Sequence, residues 1–218
     1  GLHDTILDSI GLWHGCEYGT FRGDMEAVRS RKGKAASGPF PELWRYTFPE
    51  LVSTVRLPTP MNTRTQVNFT ALFGLRSEIE ARYMADRTYV LENKVPVKAD
   101  YGTVQNIPNL QDMASVSPAE ASAYMKSVLD LQRAQAKYLL RGRFVDDEGF
   151  VCTDPALLAK RFVAADGTSA VLVWNTGDQS VDVKIDGLGA ATSVHAPGNA
   201  PVDGPLAANS LRLHVFGR

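Results

Sequence analysis

The sequence is poor in the residues that mark metal sites and disulfide scaffolds. It has two cysteines in 218 residues, Cys16 and Cys152, and they belong to no CxxC pair or Cys/His cluster. This argues against a disulfide framework and against a structural zinc site. The four histidines also lack the spacing of metal ligands. No metal or other cofactor is therefore expected.

Excess charge and long apolar runs are absent as well. Lysine and arginine number 23 against 24 aspartates and glutamates, so the formal net charge is −1. A balanced surface does not favour nucleic acid or an anionic membrane. No run approaches the roughly 18 apolar residues of a membrane span, and the first residues lack the order of a signal peptide. We expect a soluble chain with no nucleic-acid or membrane partner, of unknown localisation.

The residues that are present describe a globular protein of one or two domains. Apolar residues make up 44% and charged residues 22%, close to the average for packed domains. The spacing of the apolar residues changes from a helical period to a period of two after Gly142. We therefore predict an α/β part over residues 1–142 and an all-β domain over residues 143–218.

The second part carries the stronger pattern. Short β-rich runs alternate with turn signals such as Asp166-Gly167 and Asp186-Gly187 at a spacing of roughly ten residues. This predicts a C-terminal antiparallel β-sandwich with strands over 159–163, 170–175, 181–185 and 211–216. Its predicted core contains Phe162, Val171, Val173, Val183, Leu211 and Leu213.

Three further elements are predicted before residue 143. Ser117, Pro118 and Glu120 form a helix-start signal, which predicts a helix from there to about residue 140 that ends at Gly142. Residues 40–50 place aromatic residues between two prolines, as a short strand would. Residues 65–92 indicate a strand or turn running into a helix, with Glu78 and Glu80 on the solvated face.

These elements give too few strand and helix units for a closed barrel. A (βα)8 barrel needs about 250 residues, and only two or three units are predicted here. The first part is therefore interpreted as a partial (βα)8-type barrel segment. A missing N-terminal part of the same polypeptide is the expected partner.

Several segments, in order, resemble the end of bacterial glycoside-hydrolase-like proteins that are distantly similar to α-galactosidases. The resemblance implies a (βα)8 barrel followed by a C-terminal antiparallel β-sandwich, and a carbohydrate substrate. It spans most of the chain but includes no catalytic signature. The segments are PELWRYTFPE at 41–50, NFTALFGLRSEIE at 68–80, LAKRFV at 158–163 with AVLVWN at 170–175, and PL at 205–206 with NSL at 209–211.

A glycosidase needs two carboxyl groups that flank the scissile bond. Glu17 and Asp24 are the candidate catalytic acids, in a glycine-rich stretch with three aromatic residues. Aromatic faces and hydrogen-bonding side chains suit sugar recognition. A structural loop with two solvated acids, and an Arg45 paired with Glu42 or Glu50, are the alternatives. The candidate substrate-binding residues are Trp13, His14, Tyr18, Arg22, Arg45 and Tyr46.

Two functions thus remain open. The first is part of a glycoside hydrolase that acts by paired-carboxylate chemistry and is incomplete in this chain. The second is a carbohydrate-binding or structural β-sandwich module without catalysis, for which Trp174 and His195 are candidate contacts. Trp174 is nevertheless expected in the core, because the preceding residues 170–173 are all apolar.

Overall fold

The structure is a computed structural model that describes residues 12–14, 42–49, 52–58, 64–80 and 118–217. They form a mixed α/β structure in which a small parallel sheet, with helices between its strands, precedes two further helices and a five-stranded antiparallel sheet.

Three strands of the parallel sheet lie among the described residues. They are β1 (Leu12–His14), β2 (Val52–Pro58) and β3 (Arg76–Glu80), in the spatial order β1-β2-β3. β2 and β3 align from Thr54 beside Arg76 to Pro58 beside Glu80, so both strands end at the same level. Parallel neighbours of this kind require crossover connections, which agrees with the predicted α/β character of the first part.

Helix α1 (Glu42–Thr47) occupies the segment for which the sequence predicts a strand. That prediction is wrong. The aromatic residues favour a strand by residue type, and this local preference did not decide the structure of the segment. Glu42 in the first turn and Arg45 in the last turn match the helix dipole.

Helix α2 (Arg64–Leu72) precedes β3, so the predicted order of strand and helix is reversed in this segment. Residues 65–72 of α2 are all buried, and a helix buried all round shows no amphipathic period. Gly74 has a φ of 64° and stops the helix. Glu78 and Glu80, predicted on a helix, therefore belong to β3.

The predicted long helix is confirmed. Helix α3 (Pro118–Ala134) begins at the proline of the start signal, and the short α4 (Ala136–Leu139) continues it after Gln135. Ser117, the predicted cap, lies outside the described residues. Gly142 follows α4 so closely that a Cβ there would lie 2.3 Å from the Tyr138 carbonyl oxygen.

The C-terminal part contains one five-stranded antiparallel sheet among residues 143–217. Its strand order is β4-β5-β6-β8-β7. Three of the four predicted strands are confirmed as β5, β6 and β8. The strands are β4 (Arg143–Phe144), β5 (Leu157–Val163), β6 (Ser169–Asn175), β7 (Ala191–His195) and β8 (Leu211–Phe216).

The fourth predicted strand, over 181–185, is wrong. Only isolated bridges form nearby, between Val181 and Leu206 and between Val151 and Asp186. Exposed side chains alternate with half-buried ones from Val181 to Asp186, so the segment has a strand-like pattern without strand neighbours. β7 was not predicted because its sequence, Ala-Thr-Ser-Val-His, is mostly small and polar.

Both faces of the antiparallel sheet are covered. One face packs on α2 and α3 in a cluster that includes Phe73, Leu131 and Trp174. The other face packs beneath the irregular segments after β4 and after β6, in a cluster that includes Phe150 and Val173. Five of the six predicted core residues are buried, and Val183 is half-buried against the second cluster.

Candidate functional site

The carboxyl edge of the parallel sheet is the first place to look for a site. In sheets built of parallel strands, functional groups gather where the strands end. β1 ends at Trp13 and His14, which lie beside Ser53 and Thr54 of β2. Two of the predicted substrate-binding residues are therefore the last residues of a parallel strand.

The remaining residues of the predicted glycine-rich loop follow β1 in the chain. Glu17 comes three residues after His14, and Asp24 comes ten residues after it. Glu17, Tyr18, Arg22 and Asp24 lie outside the described residues, so their predicted roles stay predictions. Their place in the sequence is directly after the carboxyl end of a parallel strand.

Glu80 is a candidate that the sequence reasoning missed. It is the last residue of β3 and lies beside Pro58, the last residue of β2. The signal was available, because Glu78-Ile79-Glu80 alternates with period two immediately after a helix-ending glycine. A carboxylate at a strand end is the kind of group that parallel-sheet enzymes use.

Arg45, predicted to bind sugar, is buried on the inner face of α1. Its Nε donates a hydrogen bond to the Phe73 carbonyl oxygen at 3.2 Å. Its guanidinium lies 5.9 Å from the centre of the Phe144 ring. Because Phe73 lies just before β3 begins, Arg45 is close to the amino end of β3, opposite the carboxyl edge.

Tyr46 follows Arg45 in α1 but is exposed to solvent, with 42% of its surface accessible. Its hydroxyl donates to a carboxylate oxygen of Glu148 at 3.2 Å. The structure therefore separates Arg45 and Tyr46 onto inner and outer faces of the same helix. Their predicted sugar-binding role stays a prediction.

A buried cluster of charged residues joins α1 to the antiparallel sheet. The ammonium group of Lys160 on β5 pairs with Glu42 of α1 at 3.5 Å and with Asp146, which follows β4. It also lies 5.8 Å from the centre of the Phe73 ring. Buried charges of this kind require partners, so the cluster fixes α1 against β5.

A cavity of about 460 Å³ opens beside this cluster. Its walls come from β5 and from the segment after β4, and most of them are apolar. Lys160 is one of its lining residues, and its ammonium is neutralised by the carboxylates described above. The lining residues are Asp147, Phe150, Val151, Cys152, Leu157, Leu158, Ala159 and Lys160.

The described residues contain no group of three or more His, Cys, Asp or Glu side chains that could hold a metal ion. Within the same part of the chain, no helix is both long and apolar enough to span a membrane. His195 bonds Ser193 at 2.9 Å. His214 is buried in the antiparallel sheet, and its Nε2 has no hydrogen-bond partner among the described residues.

The sequence Asn68-Phe69-Thr70 resembles a glycosylation sequon, but Asn68 is fully buried. Its amide donates to the Asn209 carbonyl oxygen at 3.0 Å, and its side-chain oxygen accepts from the Tyr124 hydroxyl at 2.6 Å. Burial raises the pKa of Tyr124 to about 12. The sequon is therefore an internal polar contact between α2, α3 and the segment before β8.

Trp174 lies in the core, as predicted. Its ring is fully buried and its Nε1 donates to the Asn209 side-chain oxygen at 3.0 Å. A buried ring cannot stack on a sugar. The binding-module alternative therefore loses its main aromatic candidate.

No protein-family model matches this sequence, and no curated protein matches it. The solved structures to which the chain is similar include glycoside hydrolases. One is a GH27 β-L-arabinopyranosidase from Geobacillus stearothermophilus, at 12% identity and a TM-score of 0.48 over 99% of this chain and 47% of that one. A single-substitution variant of that enzyme, in complex with arabinose, matches at 11% identity with the same TM-score and coverage.

An α-amylase from Anoxybacillus, described as a new glycosyl hydrolase subclass, is also similar. It matches at 12% identity and a TM-score of 0.41, over 76% of this chain and 38% of that one. The chain thus spans about half the length, or less, of the solved structures that it matches.

Proposed function

We propose that this chain is the C-terminal part of a glycoside hydrolase, in which β1, β2 and β3 belong to a (βα)8 barrel completed by residues outside this sequence. The observation that carries the proposal is the parallel order of β1, β2 and β3, with a loop suited to sugar recognition directly after β1. The five-stranded antiparallel sheet that follows in the chain is proposed to belong to a C-terminal β-sandwich of the kind that the family resemblance implies.

The proposed chemistry uses two carboxylates, one donating a proton to the leaving oxygen and the other acting as nucleophile or base. Glu17 and Asp24 are the proposed acids in this chain, with Trp13, His14, Tyr18 and Arg22 as sugar contacts. A barrel enzyme collects its acids from several strand ends. Three strands supply only part of such a set, so the 218-residue chain is proposed to bind sugar without turning it over.

The test uses the purified 218-residue chain. Binding of a panel of monosaccharides is measured by isothermal titration calorimetry, and hydrolysis is measured with the matching nitrophenyl glycosides. We expect binding of at least one sugar and no turnover above background. Glu17→Gln should weaken binding, whereas Asp182→Asn, an exposed acid on the C-terminal part, should not.

Two results would count against the proposal in different ways. Turnover that Glu17→Gln or Asp24→Asn abolishes would show that the acids are complete and that the chain is not a catalytic fragment. Absence of binding to every sugar in the panel would remove the glycosidase assignment. A non-catalytic structural module would then be the better description.

A further inference from the structure

We propose that the cavity beside β5 binds a short extended peptide, which adds as a strand to the open edge of β5 and carries a basic side chain for Asp147. All residues that line this cavity lie between Asp147 and Lys160, within the part of the chain that the structure describes. The site is separate from the proposed sugar chemistry and does not depend on it.

The open edge exists because β4 covers only one end of β5. The two residues of β4 pair with the last two residues of β5. Beyond them, the Arg161 N–H donates to the Asp146 carbonyl oxygen at 2.7 Å, and the Val145 N–H donates to the Arg161 carbonyl oxygen at 3.0 Å. The chain then turns away, since Asp146 has a φ of 55° and the Glu148 N–H donates back to the Val145 carbonyl oxygen. Over residues 157–160, β5 is therefore an outer strand of the sheet.

Ala159 presents its backbone groups to this edge. In an antiparallel ladder, the N–H and C=O of one residue point to the same side, and the side alternates from residue to residue. Arg161 uses both groups on the β4 side, so Ala159, two residues earlier, points its own pair the same way. Among the described residues, neither group of Ala159 has a hydrogen-bond partner. An edge with an unpaired donor and acceptor is a template for another strand.

The cavity gives an added strand a place for its side chains. It measures about 460 Å³, which lies within the range of ligand sites. Phe150 and Leu157 in its wall are buried, whereas Val151 is 55% exposed. Backbone pairing at a sheet edge combined with a pocket for an alternate side chain is a recurring mode of peptide recognition. The ligand should therefore carry an apolar side chain on the residue opposite Ala159.

The charges around the cavity indicate the rest of the ligand. Asp147 lines the cavity and is exposed, and no described residue forms an ion pair with it. Lys160, the other charged lining residue, is already paired with Glu42 and Asp146. The Arg161 guanidinium donates to the Glu148 carbonyl oxygen. A basic side chain on the peptide complements the carboxylate of Asp147.

The same charges disfavour a second copy of this chain as the occupant. Two β5 edges that paired in antiparallel fashion around Ala159 would bring two acidic rims, each formed by Asp147 and Glu148, to one interface. Like charges that face each other across paired strands are destabilising. A separate basic peptide has no such cost.

The experiment titrates the 218-residue chain with three capped tripeptides and follows its amide resonances. The probe is acetyl-Lys-Leu-Lys-amide, the second peptide carries an N-methyl group on its leucine, and the third has glutamate in place of both lysines. We expect saturable binding of the probe, with a shifted and more slowly exchanging Ala159 amide. The N-methyl group removes one backbone donor, so it should raise Kd about threefold to tenfold.

Variants of the chain test the two other contacts. Asp147→Asn should reduce the preference for the lysine peptide over the glutamate peptide about threefold, whereas Asp182→Asn, an exposed acid outside the cavity wall, should keep it. Ala159→Pro removes the donor at a position where an edge strand tolerates proline, and it should weaken binding of the probe about threefold or more. If Ala159→Pro does not fold, the methylated peptide and the unmodified chain decide the same question.

Each contrary result overturns a defined part of the proposal. Equal Kd values for the methylated and unmethylated peptides would overturn strand addition. Equal Kd values for the lysine and glutamate peptides would overturn the basic character of the ligand. Absence of saturable binding by all three peptides would overturn the site, as would sedimentation of the chain as a dimer with a protected Ala159 amide. None of these results bears on sugar binding, which is tested separately.

Discussion

At the scale of single residues, His214 is a histidine whose surroundings change its pKa strongly. Burial and, to a smaller extent, the nearby Arg212 lower the pKa of His214 to about 4. The unfolded chain takes up this proton near the ordinary value of 6.5, so unfolding is coupled to proton uptake between about pH 6.5 and pH 4. The contribution of His214 to stability is complete above this window and is lost as the pH falls through it.

We expect the free energy of unfolding to decrease by up to about 3 kcal/mol over this range because of His214. His214→Leu should remove that part of the pH dependence. Urea denaturation at pH 7 and pH 5 measures the difference. His195→Leu, which keeps His214, is the control, and an equally steep dependence in His214→Leu would contradict the prediction.

Gly142 gives a second prediction for a single residue. A Cβ at this position would lie 2.3 Å from the Tyr138 carbonyl oxygen, which is too close for any side chain. Gly142→Ala should therefore lower the free energy of unfolding by about 2 kcal/mol. Gly217→Ala is the control because a Cβ there meets no atom within 4 Å. Equal midpoints for the two variants in denaturant titration would refute the steric argument.

Between elements, the Lys160 cluster holds α1 against β5. Lys160→Met should leave the buried carboxylate of Glu42 and its neighbour Asp146 without their shared cation. Removing one member of a buried ion pair costs about 3 kcal/mol. Thermal or denaturant unfolding at pH 7 measures this loss.

Lys184→Met is the matched control for this prediction. Lys184 pairs with Asp186 at 3.2 Å, but both side chains are more than half exposed. Exposed pairs contribute little, so its stability should match that of the unmodified chain. If Lys160→Met were as stable as Lys184→Met, the cluster would not hold α1.

The elements also show where sequence reasoning works. β5, β6 and β8 were predictable because turn residues flank these segments and their apolar residues repeat with a period of two. The segment of α1 was predicted wrongly because its aromatic residues favour a strand. Its helix is stabilised by contacts of Glu42 and Arg45 that no local pattern reveals. α2 gave no helical period because it is buried all round.

For the candidate site, the sequence located the glycine-rich loop, and the structure adds that a parallel strand leads into it. Glu80 was missed because its segment was interpreted as a helix with Glu80 on the solvated face, although Glu78-Ile79-Glu80 alternates with the period of a strand. Arg45 was predicted as a sugar contact because an arginine side chain can hydrogen-bond sugar hydroxyls. Its contact with Phe73 depends on residues 28 positions apart, which no local pattern contains.

At the scale of the whole molecule, the two predicted parts share one hydrophobic core. Phe69 of α2, Phe73 directly after it and Leu131 of α3 lie in the same cluster as Leu172 and Leu213 of the antiparallel sheet. Described residues on both sides of Gly142 therefore contribute to the same hydrophobic cluster.

Residues 143–218 expressed alone should therefore fail to unfold cooperatively, because one face of their sheet would be open to water. Circular dichroism during heating and the dispersion of amide resonances measure this. The full 218-residue chain is the control. A sharp thermal transition and dispersed resonances from the fragment would show that the sheet is stable without α2 and α3.

The position of β8 has a consequence for how the protein is made. β8 follows β7 in the chain yet lies between β6 and β7 in the sheet. While a ribosome synthesises the protein, β7 leaves the exit tunnel with no neighbour to pair with, and β6 keeps an open edge until residues 211–216 emerge. Unpaired strand edges invite association with other chains. The nascent chain is therefore exposed to aggregation in the interval between the emergence of β7 and the insertion of β8.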